Sequence, residues 1–319
     1  MYKIIFVIFL LSTFFVDIYF TEKNYKIETK KKVLPLKKII KIDDKFSYSL
    51  KKGTSTLVGC TNRNNLATVS KNGTRLNKNY VKSKNTLHIF GDSFTFGYGA
   101  KDTETFPYIL SSLSEEINVI NYGVPGWGVT QMYIYLKENL KNIKEGDIVL
   151  FSPIFEDFFR DLHSPKLVSL MFLLSDIGPN TFPIHQNNSI EYEEVSSTFF
   201  KFKSRLYLSR FLGEYYKKFT TDEEESLIQS EIMLNKINNW VSTKKALFYL
   251  TYLPEFKEKN LKIEENDNWL KQFSFYRSIT AQYLNHKNKK DLFIQSCDLH
   301  YSKKGNIFIA KSILEVLNL

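Results

Sequence analysis

Three residues from distant parts of the chain have side chains that together suit nucleophilic catalysis: Ser93, Asp298 and His300. A serine hydroxyl is a poor nucleophile until a base takes its proton, and histidine fits that task because its unperturbed pKa lies near neutrality. A carboxylate that orients the ring and stabilises the imidazolium completes the set. In an extended segment, residues two apart point to the same side, so Cys297-Asp298-Leu299-His300 would present acid and imidazole together. Taken alone, Gly91-Asp92-Ser93 favours an ordinary turn, and His88, His163, His185 and His286 read as capping or satisfied surface residues.

The elements around these residues decide between the two readings. Leu87 to Phe90 is a short apolar run that breaks at a Gly-rich turn, as a buried parallel strand ends, and Ser93 follows at the sheet rim where open α/β folds place ligands. Thr103 or Asp102 is the expected cap of a helix carrying Phe106, Ile109, Leu110 and Leu113 on one face. Further strands are expected over Val119 to Tyr122, Ile148 to Phe151, Ala246 to Leu253 and Asp291 to Gln295. Helices are expected around Met132 to Ile143, Leu227 to Val241, Asp267 to Leu284 and Ile307 to Leu317. The alternation predicts an α/β class: a three-layer α/β/α sandwich on a five-stranded, mostly parallel sheet.

With 43% hydrophobic and 24% charged residues, 319 residues can bury one sizeable core. The formal charge of +10 is spread through linkers and helix faces without a nucleic-acid-binding signature, so no nucleic-acid partner is expected. Two cysteines, Cys60 and Cys297, exclude a disulfide scaffold and a four-ligand zinc site. Residues 1–20 read as an uncleaved membrane anchor: Ile4 to Phe20 would span roughly 25 Å as a helix, against a hydrocarbon core of about 30 Å. The expected order is anchor 1–20, linker 21–56 and a domain over 57–319 on the extracytoplasmic side. Near 163–221 the alternation stops in an aromatic, basic insertion, which suits a lid, a membrane-surface element or an added helical layer.

Phe90-Gly-Asp-Ser-Phe-Thr-Phe-Gly97 resembles the first block of the SGNH (GDSL-type) hydrolases. Asn121-Tyr-Gly-Val-Pro-Gly126 resembles their second block, and Asp298-Leu-His300 with Ser302 and Gly305 resembles the last. Pro153-Ile-Phe-Glu-Asp157 falls at the third, usually Gly-x-Asn-Asp. The resemblance implies a flavodoxin-like SGNH sandwich in which Ser93 attacks a carbonyl, His300 is general base and then acid, and Asp298 orients it. It further implies an oxyanion hole from the backbone of Ser93 and Gly126 and a side chain at Glu156, where the family carries Asn. Asp92, Trp127 and Asp157 are the expected substrate contacts. Losing one oxyanion donor typically costs about 3 kcal/mol of transition-state stabilisation, and a protonated Glu156 would restore a donor. The spacing Asp-x-His also departs from the commoner Asp-x-x-His. The implied activity is hydrolysis or transfer of an O-acyl ester, of an envelope glycan or lipid, without metal or cofactor. The second reading is a catalytically weakened protein of this fold that binds a glycan or partner.

Overall fold

The computed structural model describes residues 36–59, 65–78, 83–114, 116–141, 143–160, 181–186, 189–194, 223–295 and 299–319. The expected anchor, the basic stretch 199–219, both cysteines and Asp298 lie outside these residues. Among the described residues, no helix is long and apolar enough to cross a membrane.

The described chain opens with an antiparallel hairpin, β1 (Ile40–Asp43) and β2 (Ser47–Leu50), in the segment expected to be linker. All four residues of β2 are buried, so it lacks the alternation that marks a half-exposed strand. The Trp127 indole N–H donates to the Tyr48 carbonyl at 3.1 Å and the Gln131 amide to the Phe46 carbonyl at 2.7 Å, tying the hairpin into the domain. A second small pair, β3 (Ser55–Leu57) with β4 (Leu66–Thr68), follows.

The central sheet is built from β5 (Asn85–Phe90), β6 (Ile117–Asn121), β7 (Ile148–Phe151) and, after the hairpin β8 (Thr181–Gln186) and β9 (Ser189–Glu194), β10 (Leu247–Leu250). Its order is β10-β7-β5-β6, all parallel, with Leu87 level with Val119 and Ile148, and Ile148 level with Leu247. The fully apolar Ile148-Val-Leu-Phe151 occupies an interior position, buried along its whole length. Among the described residues the helices are α1 (Ser93–Phe96), α2 (Phe106–Leu113), α3 (Val129–Asn139), α4 (Glu223–Ser242), α5 (Asn260–Leu270), α6 (Thr280–Leu284) and α7 (Lys303–Leu317). Packing α2 on α7 and β6, and α4 on β10 and α3, covers the sheet with two helix pairs.

Three expectations are corrected. Among the described residues the sheet has four strands: where a fifth was expected over Asp291 to Gln295, a 3₁₀ turn (Lys289–Leu292) leads into a single bridge from Phe293 to Tyr301. Its backbone groups are taken locally, with Ile294 N–H on the His300 carbonyl (2.7 Å) and Ser302 N–H on the Leu292 carbonyl (2.8 Å). The edge beyond β10 is met instead by residues 275–277, through Leu250 N–H to Phe275 O (3.1 Å) and Arg277 N–H to Leu250 O (2.8 Å). The helix expected over Asp267 to Leu284 is two helices, because the Asp267 carboxylate accepts from Tyr276 (2.6 Å) and Thr280 (2.8 Å) and folds the chain back. Finally, α2 is capped by Thr105, whose side chain accepts from Tyr108 N–H, with Pro107 in the first turn. Asp102 instead accepts from Thr68 N–H (2.8 Å) and pairs with the buried Arg75 (3.2 Å).

Candidate active site

The last four residues of β5 are buried between β6 and β7, so the chain can turn only after Phe90. It does so at Gly91, where a Cβ would fall 2.0 Å from Thr95 Oγ1 and 2.8 Å from the Ser152 carbonyl. Asp92 caps α1, its Oδ1 accepting from Phe94 N–H at 2.9 Å. Gly97, at φ +79°, closes the turn with its N–H on the Ser93 carbonyl (3.1 Å). Ser93 therefore emerges half-buried at the carboxyl edge of the sheet.

His300 arrives from the other end of the chain on the bridged loop just described, which Ser302 joins to α7 as its cap. Gly305 permits this approach, since a Cβ there would lie 2.0 Å from the Leu292 carbonyl. The imidazole stands between the rings of Phe94 (4.6 Å) and Tyr98 (5.2 Å), and its Nε2 is 2.8 Å from Ser93 Oγ. Leu299 lies at φ +58°, in the left-handed region and not extended, and Asp298 lies outside the described residues. A left-handed leucine costs on the order of 1–3 kcal/mol, and it is held here by the Leu299 N–H on the Ile294 carbonyl (3.2 Å).

The loop after β6 is pinned against the turn that bears Ser93. Asn121 donates to the Thr95 carbonyl (2.9 Å) and accepts from Gly123 N–H (2.8 Å), while Val124 N–H reaches the Gly91 carbonyl (3.0 Å). Gly126, at φ +83°, occupies the left-handed region in this loop. Glu156 sits half-buried in the 3₁₀ turn Phe155–Phe159 after β7. Of the expected substrate contacts, Trp127, Asp92 and Asp157 are each 0% exposed and present no surface to a ligand. They serve the scaffold: Trp127 holds β2, Asp92 caps α1, and Asp157 accepts from Ile154 N–H (3.2 Å) in its own turn.

Two residues not singled out from sequence complete the rim. Arg160 directs Nη1 to the Trp127 carbonyl (3.1 Å), to Asp92 Oδ2 (3.4 Å) and to Asp157 Oδ1. Burial works to lower its pKa, but Asp157 and then Asp92 outweigh it, and the guanidinium is held charged. Burial pushes the Asp157 carboxyl up against the pull of Arg160. Glu255 follows β10, whose extension runs beside that of β7 through Leu253 N–H on the Pro153 carbonyl (2.9 Å). Burial first, then Glu258, Glu156 and Asp92, raise its pKa to about 8, against the opposing effect of Arg160. An acid and a base three apart, Asp157 and Arg160, was the available signal for the first; for Glu255 it was its place just past an apolar strand and a proline.

No protein-family model matches the chain, and no curated protein matches it. Among solved structures, it is similar to a catalytic mutant of an acetylxylan esterase from Geobacillus stearothermophilus, at 12% identity over 75% of this chain and 97% of that one, with a TM-score of 0.44. It is similar also to an α/β hydrolase enzyme from the metagenome of Lake Arreo, Spain, at 11% identity over 76% and 98% of the two chains, TM-score 0.43. A member of the lipolytic protein G-D-S-L family from Veillonella parvula matches at 15% identity over 73% and 98%, TM-score 0.32.

Proposed function

We propose that this chain is a serine-dependent acyl-ester hydrolase of the SGNH type. The observation that carries the reading is the 2.8 Å approach of His300 Nε2 to Ser93 Oγ, made by residues 207 apart in sequence. Ser93 Oγ attacks the acyl carbon while its proton passes to His300 Nε2. The tetrahedral oxyanion forms against backbone N–H groups of Ser93 and Gly126. The imidazolium then protonates the leaving alcohol, and water repeats the sequence to free the acid. In this reading Asp298 accepts from His300 Nδ1, and Glu156 stands where a third oxyanion donor would be, so a simple amide there improves turnover. The enzyme acts on an O-acyl ester of an envelope glycan or lipid, outside the cytoplasm, held at the membrane by residues 1–20.

The test is steady-state hydrolysis of p-nitrophenyl acetate. Wild type turns over, while Ser93→Ala and His300→Ala each fall on the order of 10⁴-fold or more. Equal rates in wild type and Ser93→Ala would refute the assignment. Glu156→Asn raises kcat/KM if Glu156 faces the oxyanion; an unchanged or lower value removes it from the hole.

A further inference from the structure

Ser93 Oγ lies between two acceptors. Asp92 Oδ2 is 3.2 Å away and His300 Nε2 is 2.8 Å away, and the hydroxyl has one proton to give. If it goes to Asp92, His300 can approach Oγ only as a donor, and no base is available to activate the serine. A carboxylate oxygen with no cation beside it keeps its lone pairs free to accept that proton as a hydrogen bond. Here Oδ2 also faces Arg160 Nη1 at 3.4 Å, and the same nitrogen donates to the Trp127 carbonyl at 3.1 Å, one residue past Gly126. One buried guanidinium thus meets the turns after β5 and β7 and the loop after β6.

We propose that Arg160 is a positioning residue for the Ser93 nucleophile: by occupying Asp92 Oδ2 it directs the hydroxyl proton to His300, and by holding the Trp127 carbonyl it fixes the loop that carries Gly126. The inference rests on the hydrolase reading and adds to it a residue that does not touch substrate. Removing the guanidinium leaves Asp92 as an unpaired carboxylate beside the hydroxyl. The neighbouring acids Glu156, Asp157 and Glu255, which share the electrostatic field of Arg160, cannot replace it.

The experiment compares the rate at which a fluorophosphonate probe labels wild type, Arg160→Gln and Arg160→Gln/Asp92→Asn, with circular dichroism confirming that each is folded. Arg160→Gln is expected to label at least tenfold more slowly, and to hydrolyse p-nitrophenyl acetate with kcat down at least tenfold and KM within twofold. The double variant is expected to recover at least threefold over Arg160→Gln, because an amide in place of the Asp92 carboxylate keeps the cap on Phe94 but competes weakly for the proton. A purely structural role predicts no such recovery. Should Arg160→Gln not fold, Arg160→Lys with and without Asp92→Asn makes the same comparison, since the lysine side chain is shorter and does not reproduce the reach of Nη1 to Asp92 Oδ2. A folded Arg160 variant labelled within twofold of wild type, or a double variant no faster than the single, overturns the proposal while leaving Ser93 as nucleophile. Absence of labelling in wild type overturns the hydrolase reading and this inference with it.

Discussion

At the level of single residues, the proposed chemistry rests on Ser93, His300 and the charged groups beside them. Residue types and breaks after apolar runs marked Ser93 and His300 as candidates for one site, although only the run before Ser93 is a strand. What could not be read was the local conformation: the left-handed Leu299 depends on a bridge between Phe293 and Tyr301 that no spacing announces. Burial of Asp92, Trp127 and Asp157 was equally hidden, since it follows from Arg160 and the β1–β2 hairpin closing over them. Glu255 offers a test of this buried electrostatics. Its folded pKa of about 8 exceeds the ordinary 4.5, so the folded state holds an extra proton between those values. The associated stability is fully present below pH 4.5 and is lost as pH rises through about 8. Differential scanning calorimetry should therefore show the wild-type Tm falling more steeply from pH 5 to pH 9 than that of Glu255→Gln. Parallel curves would contradict the assigned environment.

At the level of elements, parallel strands and their following helices were legible where hydrophobic period and turn residues agreed, as in β5, β7 and α7. The strand expected over Asp291 to Gln295 failed because its N–H and C=O groups bond within the His300 loop. Apolar composition alone does not reveal where backbone groups go. The same holds for β2, whose two covered faces erase alternation. Its anchorage is measurable: Trp127→Phe removes the indole donor to the Tyr48 carbonyl and should lower unfolding free energy by roughly 1–3 kcal/mol in urea titration, as expected for an unsatisfied buried acceptor. A change below about 0.5 kcal/mol would mean the bond contributes little. Gly91→Ala should be more damaging, because its methyl group meets the Ser152 backbone as well as Thr95. Overpacking of this kind costs about 1–3 kcal/mol or more and shifts the turn that bears Ser93.

At the level of the whole molecule, the folded unit starts before the boundary drawn from sequence. Ile39, Ile40, Phe46, Tyr48 and Leu50 are all buried in the core, so a chain beginning at residue 57 lacks part of its own interior. Residues 36–319 should give a cooperative thermal transition, whereas residues 57–319 should be insoluble or melt without cooperativity; equal cooperativity would make the hairpin an accessory. Above this scaffold, function turns on whether the serine hydroxyl is chemically activated by the ring beside it. The direct measurement is peptide mapping by mass spectrometry after fluorophosphonate treatment of wild type and His300→Ala. One adduct is predicted, on Ser93, and His300→Ala does not form it on the same timescale. An adduct elsewhere, or on Ser93 at equal rate without His300, would contradict activation of the serine by the imidazole.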